Sequence, residues 1–435
     1  MSSPSPSLPP SERPRSQSRR RLHEVIPPLV MGTATFNTQY VPDPFDLPAT
    51  AMVSRALDLG VTAFDTSPYY GPSETILGNA LAQAQAQTRT RTQTQTQTHS
   101  SSRADYFLIT KTGRIAPDAF DYSASWTRYS VARSLERLRT PYLDLVYAHD
   151  VEFVSAPDVL AVVTELRRLR DEEGLVRYVG ISGYPVHILC ELAETVLRET
   201  GEPLDAVLSY GHFSLQNTTL GGDEVMRRFA DAGVDVVLNA SMLGMGLLTT
   251  RGADAGPMAS WHPSPEGLRQ ACQDLVPVAV DAGEKLEVVA IRWAVDNWAV
   301  RGAARGSGNS RLGSGARVGV SVMGISNIAE LEETYRVFNS VIEGLEPESE
   351  SGDDAELMSR RRWSRDRRGK IQAVVEKMWD VLGTWRDYSW ESPGPGFVNA
   401  RKATEIGVTP DDGILTKHKL EPVVQVNVEP VPALL

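Results

Sequence analysis

Cysteine is almost missing from this sequence: Cys190 and Cys272 are the only two in 435 residues. They sit in helix-like contexts with no CxxC spacing and no neighbouring histidine, which excludes a disulfide framework and a cysteine-based zinc site and fits a reducing compartment. Basic charge is also in deficit, with 44 Lys and Arg against 55 Asp and Glu and a formal net charge of -11. A field of that sign repels polyanions, so neither nucleic acid nor an acidic membrane surface is expected as a partner. Long apolar runs are lacking as well. No stretch reaches the roughly 18 residues that a membrane span needs. The expectation is a cytoplasmic protein acting on a small molecule, as a monomer or weak homo-oligomer.

Residues 1–23 are rich in Ser, Pro and Arg and carry no apolar core of a signal peptide, so they read as a disordered leader. From residue 24 to 344, short apolar runs alternate with helical patterns, the signature of βαβ units and a parallel sheet. The strand readings are Leu29 to Thr33, Thr62 to Thr66, Tyr106 to Lys111, Leu143 to His149, Val176 to Ser182, Ala206 to Tyr210, Val234 to Ser241 and Val318 to Gly324. Between and after them, helices are expected at 48–59, 74–82, 127–138, 157–173, 185–199, 223–232, 265–281 and 328–338. Val159, Val162, Val163, Leu166 and Leu169, for example, recur at i, i+3, i+4 spacing. Eight strand-helix pairs predict a closed (β/α)8 TIM barrel.

Two low-complexity segments interrupt this pattern, at 83–102 (beginning QAQAQTRTRT) and 302–317 (GAARGSGNSRLGSGAR). Each lies between a helix and the next strand and so reads as a tolerated spacer on the bottom face, away from the loops that build active sites. The second lacks the GK[ST] ending of a phosphate loop and does not open a helix. Residues 345–435 read as a largely disordered extension with one amphipathic stretch, 371–385.

The chemistry lies at the strand ends. Asp65, Lys111, His149, Ser182, Tyr210 and Ser241 end the second to seventh strands, so all meet at one rim. A buried Lys is costly unless paired. Asp65 on the adjacent strand is its natural partner, and Tyr70 on the following loop can bring a phenol to the cation, which would favour the phenolate. His149 can donate a hydrogen bond to a reacting oxygen. Such a set can protonate or deprotonate an alcohol or carbonyl oxygen while a hydride moves to or from a borrowed cofactor. His149, Asp150 and Glu152 together hold one imidazole, too few for a zinc site, and no metal is expected.

The segments FDTSPYYGPSE (64–74), LITKTGR (108–114) and DLVYAHDVEF (144–153) resemble, in order and spacing, the catalytic blocks of the aldo-keto reductases. The resemblance makes Asp65, Tyr70, Lys111 and His149 the catalytic tetrad, with Tyr70 chosen over Tyr69 because it directly precedes Gly71. It also implies a barrel of the aldo-keto reductase type with disordered N- and C-terminal extensions. With LSYGHFSL (208–215), SMLGMGLLT (241–249) and WHPSPEGLRQAC (261–272), the chain is similar to the branch that holds fungal D-arabinose 1-dehydrogenases and plant L-galactose dehydrogenases. That implies NAD-dependent oxidation of an aldose at its anomeric carbon to a lactone, a step towards erythroascorbate or ascorbate. A general NAD(P)H-dependent carbonyl reductase and a cofactor-binding regulatory subunit are the alternatives.

The same resemblance assigns Gly32, Thr33, Ser182, Tyr210, Ser241, Leu243, Gly246, Gly324, Ser326 and Glu333 to the cofactor. Glycine at 246 and 324 lets backbone amides approach a pyrophosphate. Three positions depart from the common pattern: Gly183 replaces the Asn of a Ser-Asn pair, Tyr210 stands where Gln is common, and Ala240 replaces a Tyr that stacks on nicotinamide. The triplet Gly324-Ile325-Ser326 lacks the cation that holds a 2′-phosphate, so NAD is expected, with NADP weaker. Aromatic groups on the rim loops, Tyr122, Phe153, His212 and Trp261, are the candidate sugar contacts.

Overall fold

The computed structural model describes residues 19–94, 102–312, 315–346 and 354–420. Its strands are β1 (Leu29–Gly32), β2 (Ala63–Asp65), β3 (Phe107–Thr112), β4 (Arg114–Ala116), β5 (Ala119–Phe120), β6 (Leu143–His149), β7 (Val176–Gly183), β8 (Ala206–Tyr210), β9 (Val236–Ala240) and β10 (Val320–Gly324). β4 and β5 form a separate antiparallel hairpin, and the other eight close a parallel barrel in the order β1-β10-β9-β8-β7-β6-β3-β2. The expected barrel is therefore present, and each of its strands falls on its sequence reading within two residues at either end.

Alternation along the strands decides what faces the barrel interior. Val30, Ala63, Phe107, Ile109, Leu145, Tyr147, Tyr178, Ala206, Leu208, Val236, Leu238, Val320 and Val322 fill it as one apolar cluster, while intervening residues such as Met31, Phe64, Leu108, Val146, Val179 and Val207 join the shell beneath the helices. Asp65 has the parity of Ala63, Lys111 that of Ile109, and His149 that of Tyr147. All three therefore point inward from the top of the barrel.

The helices are α1 (Ala49–Leu59), α2 (Ser73–Thr94), α3 (Ala124–Leu138), α4 (Ala156–Asp171), α5 (Val186–Thr200), α6 (Asp223–Asp231), α7 (Glu266–Gln273), α8 (Leu275–Asp281), α9 (Leu286–Arg301), α10 (Ile328–Leu345), α11 (Ala355–Leu382) and the short α12 (Ile414–Lys417). Local signals set several boundaries. Ser155 caps α4 in a reciprocal pair with Asp158, and Gly201 ends α5 at φ 71°, a conformation that costs a Cβ-bearing residue. The expected helix over 265–281 is instead two, because Pro277 has no amide for the Gln273 carbonyl.

Helix α9 is absent from the sequence reading. It lacks a polar face: Val289, Trp293, Val295, Trp298 and Ala299 are all buried, and even Arg292 is sealed in, paired with Asp296 at 2.6 Å and donating to Ser364 Oγ of α11 at 2.8 Å. A helix covered on both sides loses the one-sided pattern by which helices are recognised.

The extensions need three further corrections. Residues 345–435 were expected to be largely disordered; 347–353 and 421–435 lie outside the described residues, but α11 docks through Ile371, Val375, Met378 and Leu382, and the chain beyond it crosses the rim as a strap and then packs along α3, where Asp412 meets Tyr129 and Lys417 and His418 meet Glu136. The leader's end is docked as well: residues 19–23 lie on the bottom face, where Leu22 is buried with Ile26 in the barrel interior, Tyr178 donates to the Arg20 carbonyl and the His23 amide donates to Asp235. Finally, the two insertions are not both loose spacers. α2 runs on through the first as far as Thr94, and the start of the second closes the barrel floor, with Ser307 and Val318 exchanging backbone bonds of 2.7 and 2.8 Å and the Gly308 amide meeting His23 O.

Candidate active site

Lys111 and Asp65 form the centre. The ammonium donates to Asp65 Oδ1 at 2.6 Å and to the Thr66 carbonyl at 2.9 Å, with the two side chains only 2% and 6% exposed. Burial pushes the Asp65 carboxyl upward, and the charge and hydrogen bond of Lys111 pull it back. Tyr70 follows β2 on a turn in which its amide bonds Ser67 O. Its ring lies beneath the Lys111 ammonium, 4.8 Å from Nζ to the centroid, and edge-on to His149 at 5.7 Å. Tyr69 also contacts His149, at 5.8 Å, but its ring carries the Arg114 guanidinium at 3.9 Å and its hydroxyl accepts from Gln39. The two tyrosines thus occupy different partners around one imidazole.

The expectation that a cation draws Tyr70 toward the phenolate meets a stronger opposing effect. Burial, then the Asp65 and Asp150 carboxylates, push the phenol well above its ordinary value, with Arg114 opposing. Tyr70 is therefore held as a phenol, a ready proton donor. His149 is driven down to about 3, mainly by burial, with Lys111 and Arg114 adding to the effect and Asp150 resisting it. It is neutral at ordinary pH. Ser67 Oγ lies 3.1 Å from His149 Nδ1 and takes the Tyr69 amide as its own donor, so its hydroxyl proton is free to go to Nδ1. This leaves the imidazole proton on Nε2.

Sequence reasoning missed Ser67, Arg114 and the roles of Asp150 and Glu152. Arg114 ion-pairs with Asp150 and lies against Phe120 and Phe153. Glu152, raised to about 8 chiefly by burial, accepts the Tyr184 amide and the Ser392 hydroxyl of the strap. Each lies within three residues of Asp65, Lys111 or His149 in sequence, which was the available signal.

The four candidate sugar contacts fare differently. Tyr122 is buried, with its hydroxyl spent on the His149 carbonyl, and His212 is buried between Tyr184 and Ser389 of the strap. Phe153 is stacked on Phe120 at 4.7 Å and meets Phe397 edge-on. Trp261 stays half-buried on the rim, its indole N–H on Gln39 O and its ring against Tyr40. The strap brings an aromatic wall of its own: Trp390 stacks on Tyr184 at 4.5 Å and lies edge-on to His262.

The residues assigned to a cofactor line the same rim. Gly32 pairs in register with Gly324, and Thr33 Oγ1 is tied to Asp65 O and Ser73. Ser182 donates weakly to Ala148 O, and the half-buried Tyr210 ring lies 5.4 Å from Tyr184. Beyond β9 the backbone winds tightly, with Ser241, Gly244, Met245 and Gly246 all at positive φ and Leu243 among them. A Cβ on Gly246 would meet the Met258 side chain, and the Gly244, Gly246 and Leu247 amides bond the carbonyls of Ser241, Leu243 and Gly244, so the turn is closed by its own amides. Ser326 is bonded through both its amide and hydroxyl to Glu330, and Glu333 is exposed on α10.

A model of the aldo/keto reductase family matches residues 28–344, most of the chain. The chain belongs to the aldo/keto reductase family. It is 38% identical over 279 residues to a D-arabinose 1-dehydrogenase of Saccharomyces cerevisiae, covering 64% of this chain and 77% of that protein. To an L-galactose dehydrogenase of Arabidopsis thaliana it is 32% identical over 302 residues, covering 69% and 84%. Among solved structures, a glycerol dehydrogenase from Gluconobacter oxydans superimposes with a TM-score of 0.51 at 19% identity, covering 87% of this chain and 98% of that one, which speaks to the fold. As an aldo-keto reductase the chain is an oxidoreductase of nicotinamide type, and its rim brings Asp65, Lys111, Tyr70 and His149 together.

Proposed function

We propose that this aldo-keto reductase oxidises an aldose of the D-arabinose or L-galactose type at its anomeric carbon to the lactone, with NAD as hydride acceptor. The observation that carries the reading is the contact of Tyr70, Lys111, Asp65 and His149 at one rim, in a chain whose relatives are aldose dehydrogenases. A nicotinamide held at this rim would supply the acceptor for the hydride of the anomeric carbon. In the oxidative direction Tyr70 gives up its own phenol proton to solvent and then accepts that of the anomeric hydroxyl, so one proton is released for each hydride removed; the Nε2–H of neutral His149 holds that oxygen, Lys111 faces the Tyr70 ring as a cation, and Asp65 fixes Lys111. Gly32, Thr33, Ser182 and Tyr210 would border the nicotinamide, with Ser241, Leu243, Gly246 and Gly324 about the diphosphate and Ser326 and Glu333 toward the adenosine.

NAD is favoured over NADP by charge. The Ser326 site carries the Glu330 carboxylate, where a 2′-phosphate would call for an Arg fork. Arg311 pairs with Asn339, 11 residues along α10 from Ile328, or roughly 16 Å at the usual rise. A higher kcat/KM with NADP+ than with NAD+ on a saturating aldose would overturn this choice, and Ser326→Arg is expected to move the ratio toward NADP+.

A second reading, general carbonyl reduction, is favoured by the raised Tyr70 phenol, which suits proton donation. Initial rates on D-arabinose or L-galactose with NAD+, set against aromatic aldehydes with NADPH, separate the two. Turnover of aldehydes alone rejects aldose oxidation. Sugar oxidation unaffected by Tyr70→Phe rejects the mechanism.

A further inference from the structure

Asp150 takes no part in the proton transfer above, yet its placement is costly. It holds φ 57°, a left-handed conformation that Asp takes more readily than most residues but still at some cost, directly after His149, and its side chain is 2% exposed. One carboxylate oxygen is engaged: Oδ2 takes the Arg114 ion pair and lies 3.6 Å from His149 Nε2, the nitrogen that holds the reacting oxygen. The other oxygen, Oδ1, is buried and has no hydrogen-bond partner among the described residues. A buried acceptor left unpaired is expensive. Asp65 Oδ2 and Glu152 Oε2 are also left without a partner among the described residues, but Asp150 Oδ1 belongs to the carboxylate that adjoins His149 Nε2, where a substrate donor can reach it.

Burial works against ionisation of Asp150, but the charge and hydrogen bond of Arg114, with the Lys111 charge, hold its carboxyl below the ordinary range, so the group accepts and does not donate. The donor must also lie close to the reacting oxygen, since the carboxylate adjoins Nε2. A plain aldehyde has no such group. An aldose has one on the carbon next to the anomeric centre.

The geometry points to Asp150 Oδ1 as the acceptor of the substrate's 2-hydroxyl, with Arg114 fixing the carboxylate through Oδ2. This rests on the aldose reading of the site and deepens it: Asp150 becomes the residue that selects aldoses with a free 2-hydroxyl over 2-deoxy sugars.

The test compares kcat/KM with NAD+ for D-arabinose and for its 2-deoxy counterpart, 2-deoxy-D-ribose, in the wild type, Asp150→Gly and Asp150→Asn. Glycine takes the positive φ without strain, and asparagine preserves the volume. The wild type is expected to prefer D-arabinose by about 10- to 100-fold, the usual worth of a hydrogen bond to a buried charge. In Asp150→Gly the preference is expected to fall to about 3-fold or less, with the NAD+ dissociation constant from tryptophan fluorescence within about 3-fold of wild type. If Asp150 served only to anchor Arg114, both sugars would lose rate together and the preference would survive, which overturns the assignment. A wild-type preference near unity also overturns it, whether or not either variant folds. A wild type that oxidises neither sugar but reduces aldehydes would instead remove the aldose reading on which the inference stands.

Discussion

Replacing Lys111 by Met should unfold this barrel more readily than any loss of packing at that site would explain. The side chains of Lys111 and Asp65 are 2% and 6% exposed, and Asp65 Oδ2 already has no hydrogen-bond partner among the described residues. Removing the ammonium takes away the 2.6 Å bond to Oδ1 and the 2.9 Å bond to Thr66 O, which leaves a buried carboxylate with no compensating charge. Breaking one side of a buried pair costs about 3–5 kcal/mol, a large share of a total stability of about 5–15 kcal/mol. With an m-value of about 3 kcal/mol/M, the urea midpoint should fall by about 1–1.7 M. The double variant Asp65→Asn/Lys111→Met removes the stranded charge and should be at least about 2 kcal/mol more stable than Lys111→Met alone, because neutral groups are far cheaper to bury. Equilibrium urea unfolding of the wild type, both single variants and the double variant measures this. If the two single costs add to the double cost within about 0.5 kcal/mol, the groups are not coupled and the buried ion pair is not the centre of the site.

Three further outcomes are expected. Because burial holds His149 near 3 while an unfolded histidine titrates near ~6.5, the unfolded chain binds a proton in that window that the folded chain does not. Stability should therefore decline as pH falls from about 6.5 toward 3, and His149→Asn should lose less than wild type between pH 7 and pH 5; equal losses by urea unfolding would show that His149 is not buried neutral. Ser67→Ala removes the donor to His149 Nδ1 and should lower kcat/KM about 10-fold with NAD+ binding unchanged, and an unaltered kcat/KM would show that Ser67 does not set the tautomer. Met378→Ala on the docked face of α11 should cost about 2–5 kcal/mol, and a cost below about 0.5 kcal/mol would mean that α11 does not pack on the barrel in solution.

The sequence by itself determined the barrel and the polar residues at its rim, because both depend on local periodicity. The period-two pattern that places Ala63, Ile109 and Tyr147 inside also fixes the inward direction of Asp65, Lys111 and His149, whatever surrounds them. Only the tertiary structure decided what covers these elements. α9 is covered by both α10 and α11, which bury even its Arg292–Asp296 pair, so its own sequence carries no one-sided polar stripe to read. The strap puts Trp390 against Tyr184 and Ser392 against Glu152 across more than 200 residues of chain, and Asp150 receives Arg114 from a different strand end. Contacts of that kind leave no spacing in the sequence. They arise where segments with no shared period are packed together, and there burial, which no single residue specifies, sets whether a phenol, an imidazole or a carboxylate holds its proton.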